Sequence, residues 1–295
     1  MKIGIIGIGN MGLAMAGRLL EQRWRVAVRD INAQRERLAR AQGAAVCGTP
    51  AELAAQADCV IVCVVDASQA ETALFDPQNG VVALGRQPSV LLCPTIAPAA
   101  AEAIGNRLTE YGLHCIDAPM SGGPARARQG RMSLMVACDD ARFEHHRRLL
   151  NTLADPVFRV GNRIGDGART KLVNNLLAAV NLAGAVEALA LAEQVGLDPA
   201  RTLDVIEQSS GQSWIGSERL RRALAGDLEP RANTSLLNKD ARLALGMAGE
   251  VGFDASVGAA ASSLFARACE SGLAQHDDAS LFEFLRGSRT ASIQP

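Results

Sequence analysis

The sequence predicts two folds in series: a doubly wound α/β domain over residues 1–164 and an all-α domain over residues 165–295. Three observations carry this expectation. Short β-rich runs alternate with helical patterns through the first half. A glycine-rich turn, Gly7-Ile8-Gly9-Asn10-Met11-Gly12, joins the first β-rich run directly to the first helical pattern. From about Gly165 the β-rich runs stop, and helical patterns follow one another to the end. A chain of 295 residues is too long for one simple core and suits two domains.

Strands are expected at residues 2–6, 25–29, 44–47, 59–65, 90–93 and 114–118, with a later one at 133–137. Val, Ile, Leu and Cys fill these runs, as buried parallel strands require. Helical patterns separate them, among them 11–22 and 99–111, the latter behind Pro98 as a first-turn proline. In the second half a long, alanine-rich helix is expected from near Gly167 to Val195, closed by Gly196. At 1.5 Å per residue it would run roughly 40 Å, enough to bridge two domains. Asp198-Pro199 reads as an N-cap followed by proline at the first helical position, opening a helix to about Gln208. Further helices are expected near 215–225, 235–251, 256–271 and 278–286.

Composition narrows the function classes. Hydrophobic residues make up 48% of the chain and charged residues 21%, a globular balance. With a formal net charge of −1 there is no basic face for nucleic acid and no polybasic tail for a membrane surface. Only 3% of residues are aromatic, too few for stacking platforms. The seven cysteines, at 47, 59, 63, 93, 115, 138 and 269, lie mostly in apolar strand-like runs without a C-x-x-C pair, and are expected to be reduced, buried thiols of a cytoplasmic protein. The first strand pattern begins at Lys2, so no leader is expected. The longest apolar stretch, 176–192, is broken by Asn181, Gly184 and Glu187 and reads as a buried helix. No metal is expected: His114, His145, His146 and His276 form no ligand set with nearby Cys or carboxylates, and His145-His146 reads as a solvated helix face.

The glycine turn carries the first chemistry. In G-x-G-x-x-G between a strand and a helix, Gly7, Gly9 and Gly12 permit a tight turn and a close approach to a pyrophosphate, while the helix amides near Asn10 and Met11 face the phosphates. Asp30 ends the second strand 18 residues after Gly12, where a carboxylate accepts hydrogen bonds from ribose hydroxyls and repels a 2′-phosphate. NAD is therefore expected over NADP, although Arg29 and Arg35 lie near enough in sequence to reach a phosphate. The second site is the segment GDGARTKLVNN, residues 165–175, which sets Lys171 among small and polar residues at the head of the long helix. Lys171 and Asn175, four apart, share one helix face and place a cation and an amide together.

With Gly7–Gly12, Asp117-Ala118-Pro119-Met120-Ser121-Gly122-Gly123 and residues 165–175 in order, nearly the whole chain resembles the β-hydroxyacid dehydrogenases. The resemblance implies a Rossmann-like domain, a long interdomain helix, a helical domain that often dimerises into a homodimer or homotetramer, and substrate held between the domains. It implies that Ser121, Gly122 and Gly123 hold a substrate carboxylate, that Lys171 is catalytic and that Asn175 orients substrate. Thr95 matches a residue near the nicotinamide, Lys239 a lysine that reaches the cofactor, and Val64 and Val65 the loop on the adenosine side. Pro94 and Asp66 depart from the family, where serine and asparagine are common. Within the family, Gly211-Gln212-Ser213-Trp214 followed by Glu218-Arg219 is most similar to the L-threonate dehydrogenase branch, with Ser213 and Trp214 lining a pocket for a polyhydroxy acid.

The activity this implies is NAD-dependent oxidation of a small hydroxy acid, with Lys171 as general base in oxidation and general acid in reduction. Tartronate semialdehyde reductase and 3-hydroxyisobutyrate dehydrogenase are the alternatives close by. An imine reductase is a rival against which Lys171 weighs, and a dinucleotide-binding regulator without turnover is a rival from another class.

Overall fold

The computed structural model describes residues 1–287. In chain order, the first part runs β1 (Lys2–Ile6), α1 (Asn10–Glu21), β2 (Arg25–Arg29), α2 (Ala33–Ala41), β3 (Ala45–Val46), α3 (Pro50–Gln56), β4 (Cys59–Val62), α4 (Ala67–Phe75), β5 (Ser89–Leu92), α5 (Pro98–Glu110), β6 (His114–Asp117), β7 (Met120–Ser121), α6 (Gly123–Arg128), β8 (Met132–Ala137), α7 (Asp140–Leu153) and β9 (Ala154–Gly161). The long α8 (Asp166–Gln194) follows. Then come α9 (Pro199–Glu207), α10 (Trp214–Leu224), α11 (Thr234–Glu250), α12 (Ser256–Glu270), 3-10 turns at Leu273–Gln275 and Asp278–Ser280, and α13 (Leu281–Gly287).

One sheet organises the first part, in the order β3-β2-β1-β4-β5-β6-β8-β7, with β9 paired to β8. From β3 to β6 every pairing is parallel. The chain runs outward from β1 through β2 to β3, then returns to β1's other side at β4, so the strand order reverses between β1 and β4. Alternate side chains of each strand enter opposite cores. Ile3, Ile5, Val28, Ile61, Leu91 and Ile116 pack with Met15 and Leu19 of α1, whereas Ile6, Val60, Val62, Val90 and Leu92 pack with Leu53, Leu74 and Ile104. Each such side chain contributes on the order of 1.5–3 kcal/mol by leaving water.

The far edge of the sheet departs from the expectation. The strand anticipated at 133–137 is β8, antiparallel to both β6 and β7, and neither β7 nor β9 was anticipated. β7 is only two residues long, and β9 is half exposed and contains Pro156, so neither presents the continuous apolar run of a central strand. The strand anticipated at 59–65 ends at Val62, leaving Val64 and Val65 in the loop beyond it.

The chain separates into two compact units, residues 1–171 and residues from Leu172 onward. Residues 288–295, the end of the anticipated second domain, lie outside the described residues. In the second unit Leu182, Val186 and Leu189 of α8 meet Leu203, Leu220, Leu237, Phe265 and Phe282 in a third core. By length and composition alone α8 is apolar enough to cross a membrane, a property that buried helices share. Its other face leaves Val173, Leu177, Leu191 and Val195 more than half exposed. Asp277 ties this unit together: its carboxylate accepts from the backbone N–H groups of Arg231 (2.7 Å), Ala232 (3.2 Å) and Ala279 (3.0 Å) and from Arg222 Nη1 (3.1 Å).

Candidate active site

In an open parallel sheet a ligand crevice lies outside the carboxyl ends of the strands, where strand order reverses. The residues singled out in the first unit gather at those ends: Gly7–Gly12 after β1, Asp30 after β2, Val64 and Val65 after β4, Thr95 after β5, and Ser121–Gly123 beyond β6. The glycine turn is built as a dinucleotide cradle. Gly7 has φ 92°, in the left-handed region, and a Cβ there would sit 2.4 Å from the Cys63 carbonyl oxygen. At Gly12 a Cβ would sit 1.9 Å from the Gly7 carbonyl oxygen, whereas at Gly9 it would meet nothing within 4 Å. Asn10 and Met11 open α1, whose first N–H groups lack intrahelical acceptors.

Asp30 is locked to this turn. Its Oδ2 accepts the Ile8 N–H and its Oδ1 the Asn32 N–H at 2.8 Å. Both nearby arginines have partners: Arg29 Nη1 pairs with Glu36 Oε1 at 2.8 Å, and Arg35 Nη2 donates to Asn10 Oδ1 at 3.1 Å. Burial opposes the Glu36 carboxylate, but the Asp30 N–H and the Arg29 guanidinium outweigh it and hold its pKa below the usual range. Asp66, where the family pattern has asparagine, caps α4 by accepting the Gln69 N–H at 2.8 Å. Pro94 is buried in the loop before Thr95.

Ser121 ends β7 and pairs with Ser133 of β8, whose hydroxyl donates to the Ser121 carbonyl at 3.3 Å. Gly122 (φ 122°) and Gly123 (φ 74°) follow in left-handed conformations that side chains disfavour, and α6 begins there. Lys171 is only 7% exposed. Lysine is rarely so buried unless it is paired or chemically employed.

The head of α8 is held by a residue to which sequence reasoning gave no role. Asp117, the last residue of β6, is 2% exposed and accepts the N–H groups of Gly165 (2.8 Å) and Ala168 (3.1 Å), with Gly167 adding a third. Burial drives its pKa up to about 6, against the pull of those N–H groups. The partners are 48 and 51 residues away in sequence, a separation no local pattern reports.

In the second unit Asn175 is 8% exposed and donates its Nδ2 to Asp240 Oδ2 at 2.6 Å, while its Oδ1 accepts from Asn174 at 2.9 Å. Lys239 Nζ lies 2.9 Å from Asp240 Oδ1. Asp240 thus holds both neighbours, and its place beside Lys239 was the available signal. Ser213 plays a structural part, because its hydroxyl caps α10 by accepting the Gly216 N–H at 3.1 Å. Trp214, the first residue of α10, is 52% exposed. His146 corrects an expectation, since it is 1% exposed and points into the fold while His145 stays outside; burial pushes its pKa down to about 4.

Residues 2–161 match the model of the NAD-binding domain of 6-phosphogluconate dehydrogenase, and residues 165–285 match that described as NAD-binding of NADP-dependent 3-hydroxyisobutyrate dehydrogenase. The chain is 36% identical to L-threonate dehydrogenase of Cupriavidus necator over 97% of its own length and 96% of the relative's. Among solved structures, 3-hydroxyisobutyrate dehydrogenase from Salmonella typhimurium superposes with a TM-score of 0.88 at 31% identity, covering 96% of this chain and 99% of that one. Psf3, solved with NADP+ and 2-OPP, gives 0.90 at 27% identity, with the same coverage of each chain.

Proposed function

Because the chain belongs to the β-hydroxyacid dehydrogenase family, we propose that it oxidises the hydroxyl of a small hydroxy acid of the L-threonate kind, with NAD as the preferred dinucleotide. The observation that carries this reading is the burial of Lys171 near the head of α8, in a chain whose strand ends also offer the glycine cradle and the Ser121–Gly123 turn. The cradle fits a dinucleotide, and NAD supplies the hydride acceptor. Ser121 and the backbone N–H groups of Gly122 and Gly123 hold the substrate carboxylate. Lys171 takes the proton from the hydroxyl oxygen as hydride leaves the adjoining carbon, and returns it in the reverse direction. Asn175, one turn further along the same helix, orients the substrate.

Two observations support NAD over NADP: Asp30 keeps a carboxylate at the end of β2, and the Arg29 charge is matched by Glu36. The likeness to L-threonate dehydrogenase favours a polyhydroxy acid, and that to the Salmonella enzyme keeps 3-hydroxyisobutyrate as the second reading. We also propose that the exposed apolar face of α8 packs against a second copy of the chain, making a homodimer or homotetramer, and that the enzyme works in the cytoplasm.

The direct test is NAD reduction across L-threonate, D-glycerate, 3-hydroxyisobutyrate and serine, each repeated with NADP. A strong signal with L-threonate and NAD is expected. Lys171→Ala should lower kcat by roughly 10²-fold or more, the range of general acid–base catalysis, while NADH still binds. Near-native turnover in that variant would remove the lysine from the mechanism.

A further inference from the structure

We infer that Asp117 is a positioning residue for the reaction, setting Lys171 in place by clamping the first turn of α8; the inference rests on the proposed role of that lysine. Three observations converge. The Asp117 carboxylate accepts the N–H groups of Gly165, Gly167 and Ala168, three of the donors that a helix start leaves without intrahelical acceptors. Lys171 follows Ala168 by three residues, on the same face of the helix, so the clamp and the lysine are one turn apart. The third observation is steric. A Cβ at Gly167 would lie 2.8 Å from Asp117 Cγ and 2.8 Å from the Met135 carbonyl oxygen, and one at Gly165 would lie 2.7 Å from Glu102 Oε1. Of these two, it is the glycine at 167 that lets the helix head press this closely on β6 and β8.

Side contacts complete the seat. Arg169 pairs with Glu102 of α5 at 2.5 Å and with Asp166 at 3.2 Å, and Thr170 donates its hydroxyl to the Asp166 carbonyl at 2.8 Å. Asp117 also stands four residues before Ser121, so one short segment fixes both the head of the lysine's helix and the turn proposed to hold the substrate acid. A carboxylate is suited to this seat because it accepts without donating and is attracted to the positive end of the helix dipole. An asparagine of the same shape turns an NH2 group toward backbone N–H groups.

The test compares Asp117→Asn with Gly167→Ala, which keeps the carboxylate but pushes the helix off it. Both should lower kcat at least tenfold, with the Kd for NADH and the KM for NAD within twofold of the parent. Amide exchange at Gly165, Gly167 and Ala168 should quicken in both. Merely structural damage would instead lower kcat and NADH affinity together, and that result would overturn the inference. Lys171→Ala, run beside them, separates the two claims. Turnover surviving that change overturns the lysine's role, whereas turnover lost there but kept in Asp117→Asn and Gly167→Ala overturns the clamp alone.

Discussion

At the residue scale the structure assigns capping work to side chains that sequence reads differently. Asp198 and Ser213 both precede a helical pattern, and both cap the helix that follows. Sequence identified the first as a cap because Pro199 stands behind it; the second was read for a pocket beside Trp214, and its capping hydroxyl carries no separate local signal. His146 shows the opposite case. Two adjacent histidines on a helix read alike, but the 100° step between them sends one into the core. Its Nδ1 has no hydrogen-bond partner among the described residues, and burial lowers its pKa to about 4 from an ordinary 6.5. The folded form resists charging it, so its contribution to stability is complete above about pH 6.5 and is lost as pH falls toward 4. Asp117 works the other way, since its raised pKa favours the folded state below about 4 and loses that advantage as pH rises through about 6. His146→Leu should therefore remove part of the acid sensitivity, read as urea midpoints at pH 4.5 and 7. An unchanged difference between the two would show that this histidine is not the group responsible.

At the element scale, legibility followed burial pattern. The five strands β1, β2, β4, β5 and β6 and the long helix were readable because each buries a regular set of apolar side chains. β7 and β9 were not, because short or half-exposed strands are specified by their partner β8 more than by their own sequence. α8 carries more apolar surface than its core uses. Val173, Leu177, Leu191 and Val195 fall close to one line at helical spacing, the repeat expected of a helix with a second packing face. Introducing Leu177→Glu together with Leu191→Glu should dissociate the proposed homodimer or homotetramer to monomers in sedimentation velocity. An assembly that survives both charges is not held by this face.

For the whole molecule, the order of β-rich and helix-rich halves made the architecture plain. The long helix α8 continues without a break through position 171, where the first compact unit ends. The residues proposed for chemistry were also found unevenly. Those on motifs, Gly7 to Gly12 and Lys171, could be named from sequence, whereas Asp117 acts through partners brought near only by folding, as Asp240 does toward Asn175. Ligand binding supplies a test at this scale, since a dinucleotide that binds only the folded chain stabilises it by about 2.7 kcal/mol at 100 times its Kd. NADH should raise the thermal midpoint more than NADPH at equal concentration, and Asp30→Ser should narrow the gap. Equal shifts by the two dinucleotides in the parent protein would contradict the preference for NAD.

The three glycines of the first turn answer to different constraints. Replacing Gly7 or Gly12 brings a side chain against the protein's own backbone, so folding alone is enough to exclude larger residues there. Gly9 has φ −65° and open space where a Cβ would stand, so the polypeptide would tolerate alanine at that position. If the turn holds a dinucleotide as proposed, its bareness is a dimension of the guest and not of the host: the chain would carry, in one missing methyl group, a cast of the thickness of what lies over it.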